Sequence, residues 1–272
     1  MRWVLLFLLL PMMAAAQDRR PSHCIALADA PGIEYVHRAA FGDALEEYSV
    51  RLNYVAHATF LLETAGGLSV ATDYTGFLGS VDFVPTVVTM NHAHDSHWTA
   101  LPDERIPHVL KGWGDGRTPN EHHLDLGEML VRNVPTDIRN QYSGGVEKYG
   151  NSIFVFEVAG LCIGHLGHLH HMPDDAQFAA LGRLDVVMAP VDGGLTLDLP
   201  TMIEVLTRLR SSVVIPMHYW GDASLREFVS GMSQQFDIER RGGSSIELSL
   251  RTLPQRPTVI TLRPAYLRAS GE

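Results

Sequence analysis

Apolar positions along this chain come in short runs separated by turn residues. Residues 51–74, "RLNYVAHATFLLETAGGLSVATDY", alternate apolar and polar side chains and break at Gly66-Gly67. That pattern predicts two or three strands with a hairpin turn. "FVPTVVTM" (83–90) reads as a buried strand, and "HVLKGWGDGRTP" (108–119) as a strand followed by turns. "EMLVRNVPT" (128–136) and "NSIFVFEVAGLCIGHLGH" (151–168) supply more strands, the second a hairpin across Ala159-Gly160. The pattern then changes. "DDAQFAALGR", "LPTMIEVLTRLR" and "ASLREFVSGMSQQF" carry helical spacing, and the apolar strands "LDVVMAPV" and "SSVVIPMHYW" lie between them. "SSIELSL" and "PTVITLRP" close the chain as strands. Antiparallel strands followed by strand–helix alternation predict a mixed α/β domain, with sheets inside and helices outside. No internal repeat, low-complexity tract or linker interrupts it.

Polar clusters follow three of these apolar strands. "TMNHAHDSHW" (89–98) packs His92, His94, Asp95 and His97 into six residues. His92 and His94 are an i, i+2 pair, and on an extended segment both imidazoles point to one side. Such a pair can hold one cation at Zn–N distances of about 2.0–2.1 Å. His97 is expected on the following turn. Asp95 is a candidate ligand, an orienting partner for an imidazole, or a proton acceptor. "GHLGHLHH" offers His165, His168, His170 and His171. Strand alternation separates His165 from His168 unless the chain turns at Gly167, which would free His168 to reach the cavity. His218 ends the strand "VVIPM", and His57 in "VAHATF" is a candidate for the edge of the site. One HxH pair in a polar loop would mean little. Histidines recur at two other strand ends, and that points to metal binding.

Composition narrows the classes. The chain has 272 residues, 46% of them hydrophobic, and a formal net charge of −10. An acidic chain without a Lys/Arg run is not built for nucleic acid. "MRWVLLFLLLPMMAAAQ" has one arginine, an apolar run and small residues, the form of a signal peptide cut after Ala16. Residues 17–272 are then read as one domain, periplasmic or secreted, with no stable membrane span after cleavage. An exported chain can pair its two cysteines, Cys24 and Cys162, while a buried Cys162 thiol is the rival reading.

These segments, in this order, resemble the metallo-β-lactamase superfamily, and within it the ascorbate-phosphate-lactonase-like hydrolases. The resemblance spans about residues 50–225. It implies an αββα sandwich of two mixed β-sheets flanked by helices. It also implies a metal site at one edge, where a metal-bound hydroxide attacks an ester, lactone, phosphoester or amide of a small-molecule substrate. In the family motif HxHxDH, His92 and His94 match the first two histidines and His97 the last. Ser96 falls where the family has aspartate. His168 matches the bridging aspartate and His218 the final histidine. Asp137 stands near a family ligand position, and Asp73 matches an aspartate that steadies the site.

These departures have physical consequences. A neutral imidazole has one lone pair and does not bridge two cations as a carboxylate does. The expected set of His92, His94, His97, His168 and His218 is therefore rich in nitrogen and short of negative charge. It suits one firmly held metal, with a second weaker or absent. Zinc fits best, with Fe, Ni or Cu as rivals. Asp95 is the candidate proton acceptor; Asp137, Asp73, His165 and His57 are candidate further ligands or supports. The missing carboxylates also leave open a non-catalytic metal-binding or sensing protein on the same scaffold. A barrel amidohydrolase, which also opens on an HxH pair, would need eight strand–helix units that this sequence does not contain.

Overall fold

A computed structural model describes residues 20–26, 41–42, 44–92, 94–140 and 144–269, so the expected signal segment lies outside the described residues. The elements run α1 (His23–Ala26), β1 (Val50–Ala56), β2 (Thr59–Thr64), β3 (Ser69–Ala71), β4 (Gly79–Ser80), β5 (Val87–Met90), β6 (His108–Lys111) and β7 (His123–Asp125). They continue with β8 (Met129–Arg139), β9 (Val146–Val158), β10 (Leu161–His165), α2 (Asp175–Leu181), β11 (Val186–Pro190), α3 (Leu199–Leu209) and β12 (Val213–Met217). The last are α4 (Asp222–Met232), β13 (Asp237–Arg240), β14 (Ser245–Leu248), β15 (Thr258–Thr261) and β16 (Leu267–Arg268).

Six strands pair in the order β14-β1-β2-β3-β5-β6, and eight in the order β13-β15-β12-β11-β10-β9-β8-β7. The first sheet is antiparallel up to β3 and parallel from β3 through β6. The second is antiparallel from β7 to β10 and parallel from β10 through β15 to β13. Alternation decides what each strand buries. Phe154 and Phe156 of β9 join Leu52, Phe60 and Leu62 of the first sheet in the core between the sheets. Ile153 and Val155 face the other way, against Met202 and Leu206 of α3 and Phe228 of α4. The eight-stranded sheet is thus apolar on both faces, which explains the unbroken apolar runs of β10, β11 and β12. The outer face of the six-stranded sheet, with Val55, Leu61, Val88 and Met90, is covered by non-helical segments carrying Tyr74, Leu78, Ile106 and Leu267.

Helices α2 and α3 start where the sequence supplies side-chain caps. Asp174 accepts from Gln177 N while Gln177 reaches back, a full capping box at α2. Asp198 caps α3, which carries a proline in its first turn. The N-terminal segment is tied down covalently, since Cys24 and Cys162 form a disulfide with Cα atoms 5.8 Å apart. Beside it, buried Glu157 accepts from Ser22 Oγ, from His23 N at 3.0 Å and from Arg132 Nε at 2.7 Å. Arg132 also donates to the carbonyls of Ala180 and Leu181 at the end of α2. No helix among the described residues is long and apolar enough to cross a membrane.

Parallel pairing aims the C-terminal ends of β3 and β5 at one edge of the first sheet. It does the same for β10, β11 and β12 in the second. The segments that leave those ends carry Asp73, Asn91–His97, His168, Asp192 and His218. Ligand sites in α/β sheets gather outside the carboxyl ends of strands.

Candidate metal centre

Four imidazoles form the centre. One ring nitrogen from each of His57, His94, His97 and His218 lies within 4.8 Å of the others. His97 Nε2 and His218 Nε2 are 3.1 Å apart, and His94 Nε2 is 2.9 Å from His168 Nε2. Two nitrogens on one tetrahedral zinc, each about 2.0–2.1 Å from it, lie about 3.3 Å apart. The 3.1 Å between His97 and His218 is therefore close to the spacing of two imidazoles on a common ion.

Two carboxylates orient two of these rings from behind. His97 Nδ1 donates to Asp73 Oδ2 at 2.5 Å, and Asn91 holds the other Asp73 oxygen at 2.8 Å. His218 Nδ1 lies 2.9 Å from Asp192 Oδ2, a close charge contact not aligned along the N–H direction. A lone pair would be repelled by that carboxylate, so Nδ1 of His218 carries the hydrogen. Both rings then turn bare Nε2 lone pairs on each other at 3.1 Å. Two facing lone pairs call for a cation, and a carboxylate–imidazole–metal relay is the usual second layer of such sites. His57 adds a buried Nε2 with no hydrogen-bond partner. The residues present fit a metal ion.

Local backbone explains the convergence. His57, Asp73 and His218 have φ of 43°, 41° and 54°, in the left-handed region that L side chains seldom enter. Tertiary bonds hold all three turns: His218 N donates to the His57 carbonyl, which also accepts from Tyr54 Oη, and Thr59 Oγ1 donates to the Asp73 carbonyl. Strained backbone of this kind concentrates at functional sites. Gly167 sits at φ 59° and turns the chain after His165, bringing His168 into the cluster. His165 itself is fully occupied: Nδ1 accepts from Gly167 N and Nε2 donates to the Ala58 carbonyl at 2.8 Å.

His92 is placed differently from the i, i+2 expectation. The strand ends at Met90, and the chain then bends, with Asn91 N bonded to His97 O and His97 N to His94 O. On that bent segment the two-residue alternation no longer applies. His92 is exposed, stacks on Trp113 with centroids 5.0 Å apart, and lies 3.6 Å from Glu147. Asp95 is exposed on the same segment. Asp137 accepts from Tyr149 N at 2.9 Å at the irregularity between β8 and β9. Asp192 does two jobs: it caps the turn after β11 by accepting from the amides of Gly194, Leu195 and Thr196, and it faces His218. His170, from the same run of histidines, contacts His168 directly.

Burial and mutual crowding keep His57, His94, His97 and His165 neutral. Burial first, then the neighbouring His218, push His57 down to about 3. Burial likewise lowers His94, His97 and His165. Burial pushes Asp73 up to about 6 despite the lowering effect of the nearby histidines and Asn91. Burial acts to raise Asp192, but His218, Thr196 and the turn amides outweigh it and hold it well below the usual carboxylate range.

Two expected results follow from this layout. Asp73→Asn leaves Asn91 and His97 in place but removes the charge behind His97, and should weaken metal affinity about 10–100-fold by equilibrium dialysis. The metal-free protein should also lose stability as pH falls from about 6.5 towards 3. His57, His94 and His97 titrate near 6.5 when unfolded and lower when folded, so the unfolded state binds more protons in that window. Asp73, raised from 3.8 to about 6, acts in the opposite direction, but it is one group against several. Urea titrations at pH 7, 6, 5 and 4 would check the slope; stability that rises with acid would contradict it.

Comparison with known proteins agrees with the architecture. A UPF0173 metal-dependent hydrolase from Nanoarchaeum equitans is 24% identical over 191 residues, 62% of this chain and 84% of its own length. A second, from Methanospirillum hungatei, is 25% identical over 197 residues, 66% of this chain and 88% of its own. The structure of a candidate Zn-dependent hydrolase of the metallo-beta-lactamase superfamily from Thermotoga maritima superposes with a TM-score of 0.55 at 26% identity, covering 78% of this chain and 98% of that one. The family model described as the beta-lactamase superfamily domain matches residues 51–218, from the start of β1 to the histidine that follows β12. With two facing sheets and clustered imidazoles at their strand ends, the chain belongs to the metallo-β-lactamase superfamily.

Proposed function

We propose that this protein is an exported, zinc-dependent hydrolase acting on a small ester, lactone, phosphoester or amide. The hydrolase reading is supported by relatives that carry that name and by the imidazole cluster at the strand ends. The observation that carries it is the pair of bare Nε2 lone pairs on His97 and His218. Each ring is backed by a carboxylate.

His94, His97 and His218 would hold the ion. Three imidazoles with one position left open is the pattern of catalytic rather than structural zinc. A zinc ion bound there supplies Lewis acidity and brings the pKa of a coordinated water towards neutrality. The chain's own residues do the rest. Asp73 and Asp192 fix the ligating tautomers. Trp220, which is exposed, lies with its ring 4.7 Å from His57 and offers an apolar wall for substrate. The exposed Asp95 is the residue proposed to accept a proton at the solvent side.

Export is supported by the signal-like first sixteen residues and by the Cys24–Cys162 disulfide, which persists in oxidising compartments. Cell fractionation, with N-terminal sequencing of the mature chain, should give a periplasmic or secreted product beginning at Gln17. The catalytic reading is tested on the zinc-loaded chain with ester, lactone, phosphodiester and β-lactam substrates. The expected outcome is turnover of one class, lost on chelation and restored by Zn²⁺. No chelator-sensitive turnover on any class would refute it.

A second reading rests on the unpartnered Nε2 of His57. If His57 completes a four-imidazole shell, the site is closed and the protein binds or senses metal without catalysis. Absorption spectra of the Co²⁺ form separate the two. An open site shifts when small anions are added, and a closed one does not.

A further inference from the structure

Behind the cluster runs a line of imidazoles whose hydrogens can be assigned from one backbone amide. Arg139 N–H points at His170 Nδ1, 2.5 Å away. A backbone amide can only donate, so His170 Nδ1 accepts and bears no hydrogen. That excludes the imidazolium and leaves His170 with its hydrogen on Nε2. His170 Nε2 is 2.5 Å from His168 Nδ1 and donates to it. His168 Nδ1 therefore also accepts, and the hydrogen of His168 sits on Nε2. His168 Nε2 in turn faces His94 Nε2 at 2.9 Å, and His94 Nδ1 faces Ser96 Oγ at 2.9 Å. The whole line is polarised in one direction, from Arg139 through His170, His168 and His94 to Ser96.

The opposite wall has the reverse polarity. There the hydrogens of His97 and His218 sit on the Nδ1 atoms, each beside a carboxylate, and the lone pairs point in. The centre thus has lone pairs on His97 and His218 and an N–H on His168. A nitrogen that carries hydrogen has no lone pair to give a metal. We infer that His168 serves as a fixed hydrogen-bond donor for an oxygen of the substrate, in place of the ligand role its position in the motif implies. When an ion takes the lone pair of His94, the buried His168 N–H loses its present acceptor. Its position, only 3% exposed, keeps bulk water from satisfying it. A carbonyl or phosphoryl oxygen placed at the ion is the acceptor it would meet, and a donor preorganised for such an oxygen is a strong contributor to hydrolysis.

The inference rests on the hydrolase reading for its catalytic consequence, but not for its chemistry. The first measurement is made on the metal-free full chain labelled with ¹⁵N-histidine. Two-bond ¹H–¹⁵N spectra, assigned with His168→Gln and His170→Phe, should show both residues as Nε2–H tautomers. His168 found as the Nδ1–H tautomer would overturn the assignment. The second measurement is Zn²⁺ binding to His168→Gln and His168→Leu. Stoichiometry and affinity should match the parent, whereas a fall of about tenfold or more, as expected for a lost ligand or its support, would make His168 a ligand. Turnover should drop by about 10²–10³ in His168→Leu, and less in His168→Gln, which keeps an N–H. If the parent hydrolyses nothing, the hydrolase reading fails while the spectra and the Zn²⁺ titrations still decide what His168 does. If a variant does not fold, the parent spectra decide alone.

Discussion

Replacing His218 is expected to empty the metal centre. The residue supplies one of two facing lone pairs, is completely buried, and is backed by Asp192. Its φ of 54° complicates the choice of variant, because alanine tolerates that conformation poorly. His218→Asn is the better probe, since asparagine enters the left-handed region with little cost and leaves the turn intact. Zn²⁺ bound per folded chain, by elemental analysis after dialysis, should fall from one towards zero. Chelator-sensitive turnover should fall on the order of 10³-fold, several kcal/mol of transition-state stabilisation. His92→Ala provides the contrast. Its ring is exposed and stacked on Trp113, away from the four clustered imidazoles, so metal content should stay as in the parent. Metal retained in His218→Asn and lost in His92→Ala would reverse the ligand set proposed above.

Removing the disulfide should produce the largest change in stability. Cys24 and Cys162 are 138 positions apart. Closing a loop of that size removes about 5 kcal/mol of chain entropy from the unfolded state in the simplest treatment, and measured losses for native disulfides run about 2–5 kcal/mol. The double variant Cys24→Ala, Cys162→Ala, followed by urea denaturation, should show that drop. The hydrogen bonds to Glu157 will hold part of the N-terminal segment in place, which puts the expected loss below the entropic ceiling. Zinc binding should be unchanged, because Cys162 lies at the other end of β10 from the cluster. A variant with undiminished stability would mean that the bond does not form in the purified protein.

What the sequence made readable follows from the physics of each element. Strands β5, β10, β11 and β12 are buried on both faces and announce themselves as apolar runs. Strand β13, "DIER", is largely exposed, and β4 and β16 have two residues each, so none leaves a periodic trace. Strand β9 begins at Val146, five residues before its apolar stretch, because ladder hydrogen bonds and not burial hold that end. His94, His97 and His218 were legible as polar residues closing apolar strands. The placement of His92 was not, since a bend after Met90 undoes the alternation that pairs i with i+2. Nor was the part played by His170, which depends on where one backbone amide points after folding. Asp192 could be read as a turn cap from "VDGG", but its second contact is visible only when β11 and β12 lie side by side.

The imidazoles at the centre hang from different sheets: His94 and His97 from the six-stranded one, His218 from the eight-stranded one. An ion gripped by both acts as a clasp across the sandwich, so occupancy feeds into the lifetime of the whole molecule through mass action. Where metal is scarce the empty form would open sooner and be the first to fall to proteases.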